Sequence, residues 1–370
     1  TRMGNSPCSR KVERPKERAL EAPPPDVEQP KKVESKCNLE DVVKYENVPL
    51  EPDTFGMMIC SVTRDTYYWA NGTTGQGRAV RLVVVVLLLG FTMFFQCFLL
   101  AKVKQFVSAK AVYDIREAYG KYEAAMCEEN TYLTAHKHAR CKEGAFPNKT
   151  LAMMRLEAMT EEDQESICKI PLSQPWFFAS VLLIWTLTCF GEIRRAFYLQ
   201  ILIYNMRRVD SMKEAEKTED MEDEDDDPNR LVIRGMTNLL KALITITTFV
   251  PRVLITVYLC WVGSRWLLAT ASFTDLILNA VALEFILLMK EGVYHSLMPT
   301  RSKRDLELTE IHPGQRYHSP KVWNFIDSSI LLLIAMVWVW LYITRLQTVL
   351  KGYNHDIQEV CLNYIADHYR

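Results

Sequence analysis

Leu82–Ala101 reads LVVVVLLLGFTMFFQCFLLA, twenty residues without a charge. At about 1.5 Å of rise per residue a helix of this length crosses a hydrocarbon core of about 30 Å, so the stretch is a membrane span. Four further stretches have the same character: Pro175–Gly191, Ala242–Gly263, Trp266–Met289 and Val322–Thr344. The predicted fold class is therefore all-α: a multi-pass transmembrane helical bundle of about five spans with a small helical, disulfide-pinned extracytosolic cap.

The polar remainder conceals this in the averages. Mean hydropathy is only −0.06, because apolar spans alternate with charged connections. Lys and Arg total 44 against 45 Asp and Glu, a net charge of −1. No basic footprint for nucleic acid follows from that balance. The chain begins at Thr1 and no signal peptide opens it, so a trimmed or processed start is expected. Residues 1–80 carry Pro23-Pro24-Pro25 among dense Lys and Glu and are predicted to be a mostly disordered cytosolic tail. Its last part, Phe55–Trp69, is apolar enough to pack on something or to lie at the membrane surface as a juxtamembrane segment.

Basic residues set the topology. Arg194, Arg195, Arg207 and Arg208 cluster in one connection and Lys290, Arg301, Lys303 and Arg304 in another, which places both in the cytosol. Five crossings then run from a cytosolic N-terminus to an extracytosolic C-terminus in the plasma membrane or a secretory-pathway membrane. Lys102, Lys104 and Lys110 at the outer end of the first span oppose this, but the charge rule weakens for long translocated segments. Cysteines agree with it. Cys127, Cys141, Cys168 and Cys361 all fall outside, where two disulfides are possible in any of three pairings. Asn148-Lys149-Thr150 is a glycosylation sequon on the same side.

The organisation that follows is a tail over 1–80, a first span over 81–101 and the extracytosolic cap over 102–174. A second span with an inner amphipathic extension covers 175–208, an acidic cytosolic linker 209–241, and a transmembrane hairpin 242–289. A basic cytosolic loop (290–321), the fifth span (322–344) and an extracytosolic tail (345–370) complete it. In the cap, Val112, Ile115, Tyr119, Tyr122 and Met126 form one helical stripe, and Thr160 with Asp163 starts a helix over Glu161–Ile170. His136-Lys137-His138 between Cys127 and Cys141 reads as surface histidines beside a disulfide, because zinc sites show tighter paired spacing, and no metal is expected. Eight of the nine residues Glu219–Asp227 are acidic, a self-repelling solvated linker that lacks the loop glycine of an EF-hand.

Arg252, Asp275, Glu284 and Asp327 lie inside spans, where each needs a partner or an aqueous cavity. With Ser264-Arg265 as the turn of the hairpin, Arg252 and Asp275 are level near mid-bilayer and are predicted to pair, either as structural glue or on a transport path. Asn279 shares the face of Asp275. Glu284 and Asp327 fall at one depth near the cytosolic ends of their spans. They either hold a cation or proton between them or snorkel to the headgroups. Pro251 is expected to kink the third span.

The segment from Pro251-Arg252 through Trp266 to Asp275-Leu276-Ile277-Leu278-Asn279-Ala280-Val281-Ala282-Leu283-Glu284-Phe285 resembles one recurring in uncharacterised multi-pass membrane proteins of dinoflagellate-type algae. The resemblance implies a shared membrane hairpin and brings no activity, ligand or site residue with it. No zinc helix, nucleophile elbow or phosphate loop occurs in the sequence, so neither an enzyme nor a cofactor is expected. There is no Arg ladder or filter motif either, which disfavours a voltage-gated channel. The intramembrane charges favour an oligomeric ion channel or transporter-like protein. The alternative is a membrane scaffold or assembly subunit without transport activity. Expected partners are the lipid bilayer and either a second copy of the chain or other subunits of a membrane assembly.

Overall fold

The computed structural model describes residues 47–72, 75–126, 132–133, 140–141, 149–214, 231–312, 321–350, 353 and 357–368. The order begins β1 (Val48–Pro49), α1 (Thr54–Ala70), α2 (Gln76–Lys102), α3 (Ala109–Met126), β2 (Tyr132–Leu133), β3 (Arg140–Cys141), α4 (Lys149–Glu157) and α5 (Glu161–Cys168). It continues α6 (Pro175–Asn205), β4 (Arg207–Arg208), β5 (Leu231–Ile233), β6 (Gly235–Met236), α7 (Asn238–Ile244), α8 (Val250–Leu268) and α9 (Phe273–Leu297). The last elements are α10 (Thr300–Glu307), β7 (Thr309–Ile311), α11 (Lys321–Leu341), α12 (Ile357–Val360) and α13 (Leu362–His368). Among the described residues four helical runs are long and apolar enough to cross a membrane: Gln76–Met126, Pro175–Asn205, Asn238–Leu268 and Phe325–Leu346. They are compatible with a multi-pass membrane protein. The predicted fourth span is α9, which is long enough but carries Asp275, Glu284, Lys290 and Glu291 and is not among the four.

On α2 only Val85, Leu89, Thr92, Gln96 and Leu100 are buried, a narrow stripe at helical spacing, while Leu87, Phe91, Phe94 and Phe98 are exposed. That inversion of the soluble pattern is what a lipid solvent permits. Two buried cores sit toward opposite ends of α6. One gathers Phe178, Leu182, Trp185 and Cys189 with the stripe of α3, the second halves of α5 and α8, and α12. The other gathers Leu202 and Ile203 with α1, α7, Met298 and the strands. The strands form an antiparallel β1–β7 pair extended by parallel β5, with Val48 opposite Ile311 and Leu231 opposite Thr309.

The stripe predicted for α3 is buried at all five positions, and Thr160 caps α5 by accepting from the Asp163 amide. The predicted hairpin turn is displaced. Helix α8 runs through Ser264 and Arg265 to Leu268, because the Ser264 hydroxyl donates back to the Cys260 carbonyl at 2.8 Å and leaves the helix unbroken. The true start of the partner helix is Ser272, whose side chain accepts from the Asp275 amide. Within the stretch predicted as a disordered tail, Thr54–Ala70 is a helix whose first twelve residues are all buried. Its composition hides this, since Thr54, Ser61, Thr63 and Asp65 are polar but packed among spans. Residues 215–230, which hold the acidic run, lie outside the described residues, and the linker resumes as β5. The basic loop likewise contains α10 and β7. At Pro251 the helix accommodates the missing amide through a π-helical turn over Thr245–Phe249, with Thr245, Thr247 and Thr248 hydroxyls donating to carbonyls four residues earlier.

Helices α6 and α8 meet closely at Gly263, where an added Cβ would stand 2.8 Å from the Trp185 ring. Gly263→Ala is expected to destabilise the bundle by about 1–3 kcal/mol through overpacking. Gly191→Ala on α6 has open space around it and should be neutral or stabilising. Thermal unfolding of the two variants in detergent checks the contrast, and equal shifts would contradict the close approach.

Candidate functional site: a buried ion network and an arginine cleft

Arg252 does not pair with Asp275. Its Nε donates to Glu192 Oε1 of α6 at 2.7 Å, and its Nη2 reaches Glu51 Oε2 at 2.5 Å and Asp53 Oδ2 at 3.8 Å. Lys290 of α9 joins them, 3.1 Å from Asp53 Oδ2 and in contact with Glu192 Oε1. The second oxygen of Glu192 faces Arg195 Nη2 at 3.3 Å. Side chains of Glu192, Asp53 and Lys290 are 2–3 % exposed and that of Arg252 4 %. Charges this deeply buried are tolerable only because each touches an opposite one.

Local sequence explains how the network is reached. Asp53 is the N-cap of α1, its Oδ1 accepting from the Gly56 amide at 2.7 Å, which leaves Oδ2 for the two cations. Gly56 has no room for a side chain, since a Cβ there would lie 2.1 Å from the Glu51 carbonyl. The turn Glu51–Asp53 is thereby pressed between spans, and the Phe55 ring lies 5.7 Å from the Arg252 guanidinium carbon. The cavity bordering Gln96, Glu192, Arg252 and Lys290 has about 10 Å³, room for about one water.

The other predicted residues are dispersed. Asp275 is exposed in the first turn of α9, and Asn279 donates to the Thr270 hydroxyl at 2.9 Å, pinning the α8–α9 connection. Asp327 pairs with Arg194 of α6 at 3.1 Å, while Glu284 is exposed on α9. No ion pair or hydrogen bond joins the two carboxylates among the described residues. Equal depth does not bring the two together: α9 and α11 both pack on α6, but Asp327 turns to Arg194 while Glu284 faces outward. Cys168 and Cys361 form a disulfide. Cys127, Asn148 and the His136–His138 segment lie outside the described residues, and Cys141 stands on β3 opposite Tyr132. No group of three metal-binding side chains occurs among the described residues.

A second polar assembly lies between α1, α2 and α10. Arg64, Arg78, Arg81, Arg301, Arg304, Asp305, Tyr68 and Leu308 line a cleft of about 380 Å³. Asp305 accepts from Arg81 at 2.5 Å and sits 3.5 Å from Arg64. Asp65, with a fully buried side chain, holds Arg81 from behind. Burial raises the Asp65 pKa above the ordinary carboxylate range, an effect opposed by the Arg81 guanidinium. Beneath them burial pushes the Cys60 thiol up to about 11, against the hydrogen bond to Thr309. Comparison with known proteins gives no match: no family model, curated protein or solved structure resembles the chain.

In the sequence Lys290, Arg301 and Arg304 read as markers of a cytosolic loop, Glu192 as part of the amphipathic extension of the second span, and Glu51, Asp53 and Arg64 as tail. The available signals were the pattern Asp53-Thr54-Phe55-Gly56, a helix start before an apolar run, and the Glu192/Arg195 spacing on a helix continuing past Gly191.

Proposed function

We propose that the protein is a five-span membrane scaffold, oriented with α1 and α10 in the cytosol and the Cys168–Cys361 cap outside. In this reading α9 also crosses, as the fourth of the five, its charges Lys290 and Glu291 near the cytosolic end and Asp275 at the other. Support for the orientation comes from the arginines gathered with α1 and the disulfide gathered with α5, toward opposite ends of α6. The observation that carries the scaffold reading is the state of the intramembrane charges. Arg252, Lys290, Glu192 and Asp53 neutralise one another, and the cavity beside them has about 10 Å³. Conduction requires a hydrated wall with groups that exchange ligands; this network instead ties α1, α6, α8 and α9 together.

A second reading rests on Glu284. An exposed carboxylate on a lipid-facing helix is costly unless another subunit covers it, so an oligomer with α9 at its axis would set a ring of carboxylates along a path for cations. Ion flux into vesicles reconstituted with the protein separates the two. Flux equal to that of empty vesicles is the expected result. A flux that grows with protein content and falls in Glu284→Gln would overturn the scaffold in favour of the oligomeric channel.

A further inference from the structure

We propose that the arginine cleft between α1, α2 and α10 binds an anion bearing clustered phosphates, presented either by a lipid headgroup or by a soluble polyphosphate. Among the described residues five arginines converge on one cavity, whose wall carries a single carboxylate, Asp305. Guanidinium groups suit this task because their planar forks bind phosphate oxygens in pairs, which an ammonium does not. The forks are held in position beforehand. Asp305 grips both Arg64 and Arg81, Thr309 Oγ1 lies 3.3 Å from Arg64 Nη1, and the Tyr68 ring lies 3.9 Å from the Arg78 guanidinium carbon and 5.8 Å from that of Arg64. Preorganisation of this kind lowers the entropy lost on binding.

Two observations point to a ligand rather than to fold stability. The cleft, at about 380 Å³, falls within the size of small-molecule sites, whereas the void beside the buried network is about 10 Å³. Arg81 Nε is buried without a hydrogen-bond partner among the described residues, although the remainder of that guanidinium is engaged by Asp65 and Asp305. A buried donor left unmade is expensive, and a small reorientation of the Arg81 side chain toward a bound phosphate oxygen or water answers the deficit. Placement adds the chemistry of the source. Arg78 and Arg81 stand in the first turns of α2, and Arg81 immediately precedes the apolar run Leu82–Ala101, so the cleft opens at the level where headgroup phosphates meet a span.

The experiment uses the full chain with two probes: inositol hexakisphosphate added to detergent-solubilised protein, and nanodiscs containing phosphatidylinositol bisphosphate against nanodiscs with phosphatidylserine at equal charge. The double variant Arg301→Gln/Arg304→Gln removes two cleft arginines from α10, and its melting temperature verifies folding. Micromolar binding is expected, weakened about fivefold for each arginine lost and further by added salt. Binding of the soluble probe with no preference among nanodiscs assigns a soluble ligand. A preference for the bisphosphate lipid assigns a headgroup. If a double variant of unchanged melting temperature binds both probes as tightly as the native chain, or if the native chain binds neither, the proposal fails. None of these outcomes depends on whether the vesicles conduct.

Discussion

Glu192→Leu is expected to lower the stability of the bundle by about 3–5 kcal/mol, because it strands Arg252 and Lys290 in a site that excludes water. Glu192 Oε1 is the atom both cations share. Without it, Arg252 keeps Glu51, which is 28 % exposed, and a distant Asp53 at 3.8 Å, while Lys290 keeps only Asp53. Two positive side chains would then compete for one buried carboxylate, beside a void with room for about one water. Glu192→Gln preserves shape and hydrogen bonding but removes the charge, so it isolates the electrostatic part. Asp275→Ala provides the contrast: an exposed first-turn residue contributes at most a favourable interaction with the helix dipole, about 0.3–1 kcal/mol. Thermal or denaturant unfolding in detergent ranks the three. Were Asp275→Ala as damaging as Glu192→Leu, the pairing of Arg252 would lie where the hairpin arithmetic first placed it.

That arithmetic shows why part of the molecule was legible and part was not. Runs such as Leu82–Ala101 are readable because lipid imposes a length and forbids charge, and the Val112–Met126 stripe because helical period is local. The need of Arg252 for a partner was equally plain, since a buried guanidinium cannot stand alone. Its identity was not. Glu51 lies 201 residues away and Glu192 lies 60 away, and no local pattern encodes such meetings. The assumed turn at Ser264-Arg265 also failed for a physical reason, because serine tolerates a helix interior when its hydroxyl bonds to the preceding turn. The segment of helix α1 stood out as apolar, but its deep burial was not legible because Thr54, Ser61, Thr63 and Asp65 among the apolar residues resemble a surface segment. The cleft escaped because its arginines, spread over residues 64 to 304, also obey the rule that places basic residues in the cytosol.

Loss of the Cys168–Cys361 bridge is the other large effect to expect, and its size follows from what the bond connects. The two cysteines are 193 residues apart, so the closed loop contains every helix from α6 to α12. For a freely unfolding chain the loop entropy alone reaches about 5 kcal/mol. Spans that remain inserted restrict the unfolded chain, which brings the expected cost of Cys361→Ser to about 2–3 kcal/mol. The damage should be local. The segment after the last span is held by Arg116, whose Nε and Nη2 donate to the carbonyls of Val349 and Thr348 at 2.6 Å, and α12 packs on α4 and on the turn Pro171–Ser173, with Ile357 and Val360 in the same buried core as Leu172. The ion pair from α12 to the cap, Lys149–Glu359 at 3.3 Å, has both side chains at least half exposed, and pairs of that kind contribute little. Without the bond, α12 and α13 should therefore release while α3 stays packed on α4 and α5. Limited proteolysis of closed vesicles, read together with the melting temperature, tests both halves of this. Cys361→Ser and Cys168→Ser should match each other and the double variant, with cleavage appearing beyond Leu350 on the outer face. A tail that stays protected at an unchanged melting temperature would show that packing alone holds it, and cleavage from the cytosolic face would reverse the proposed orientation.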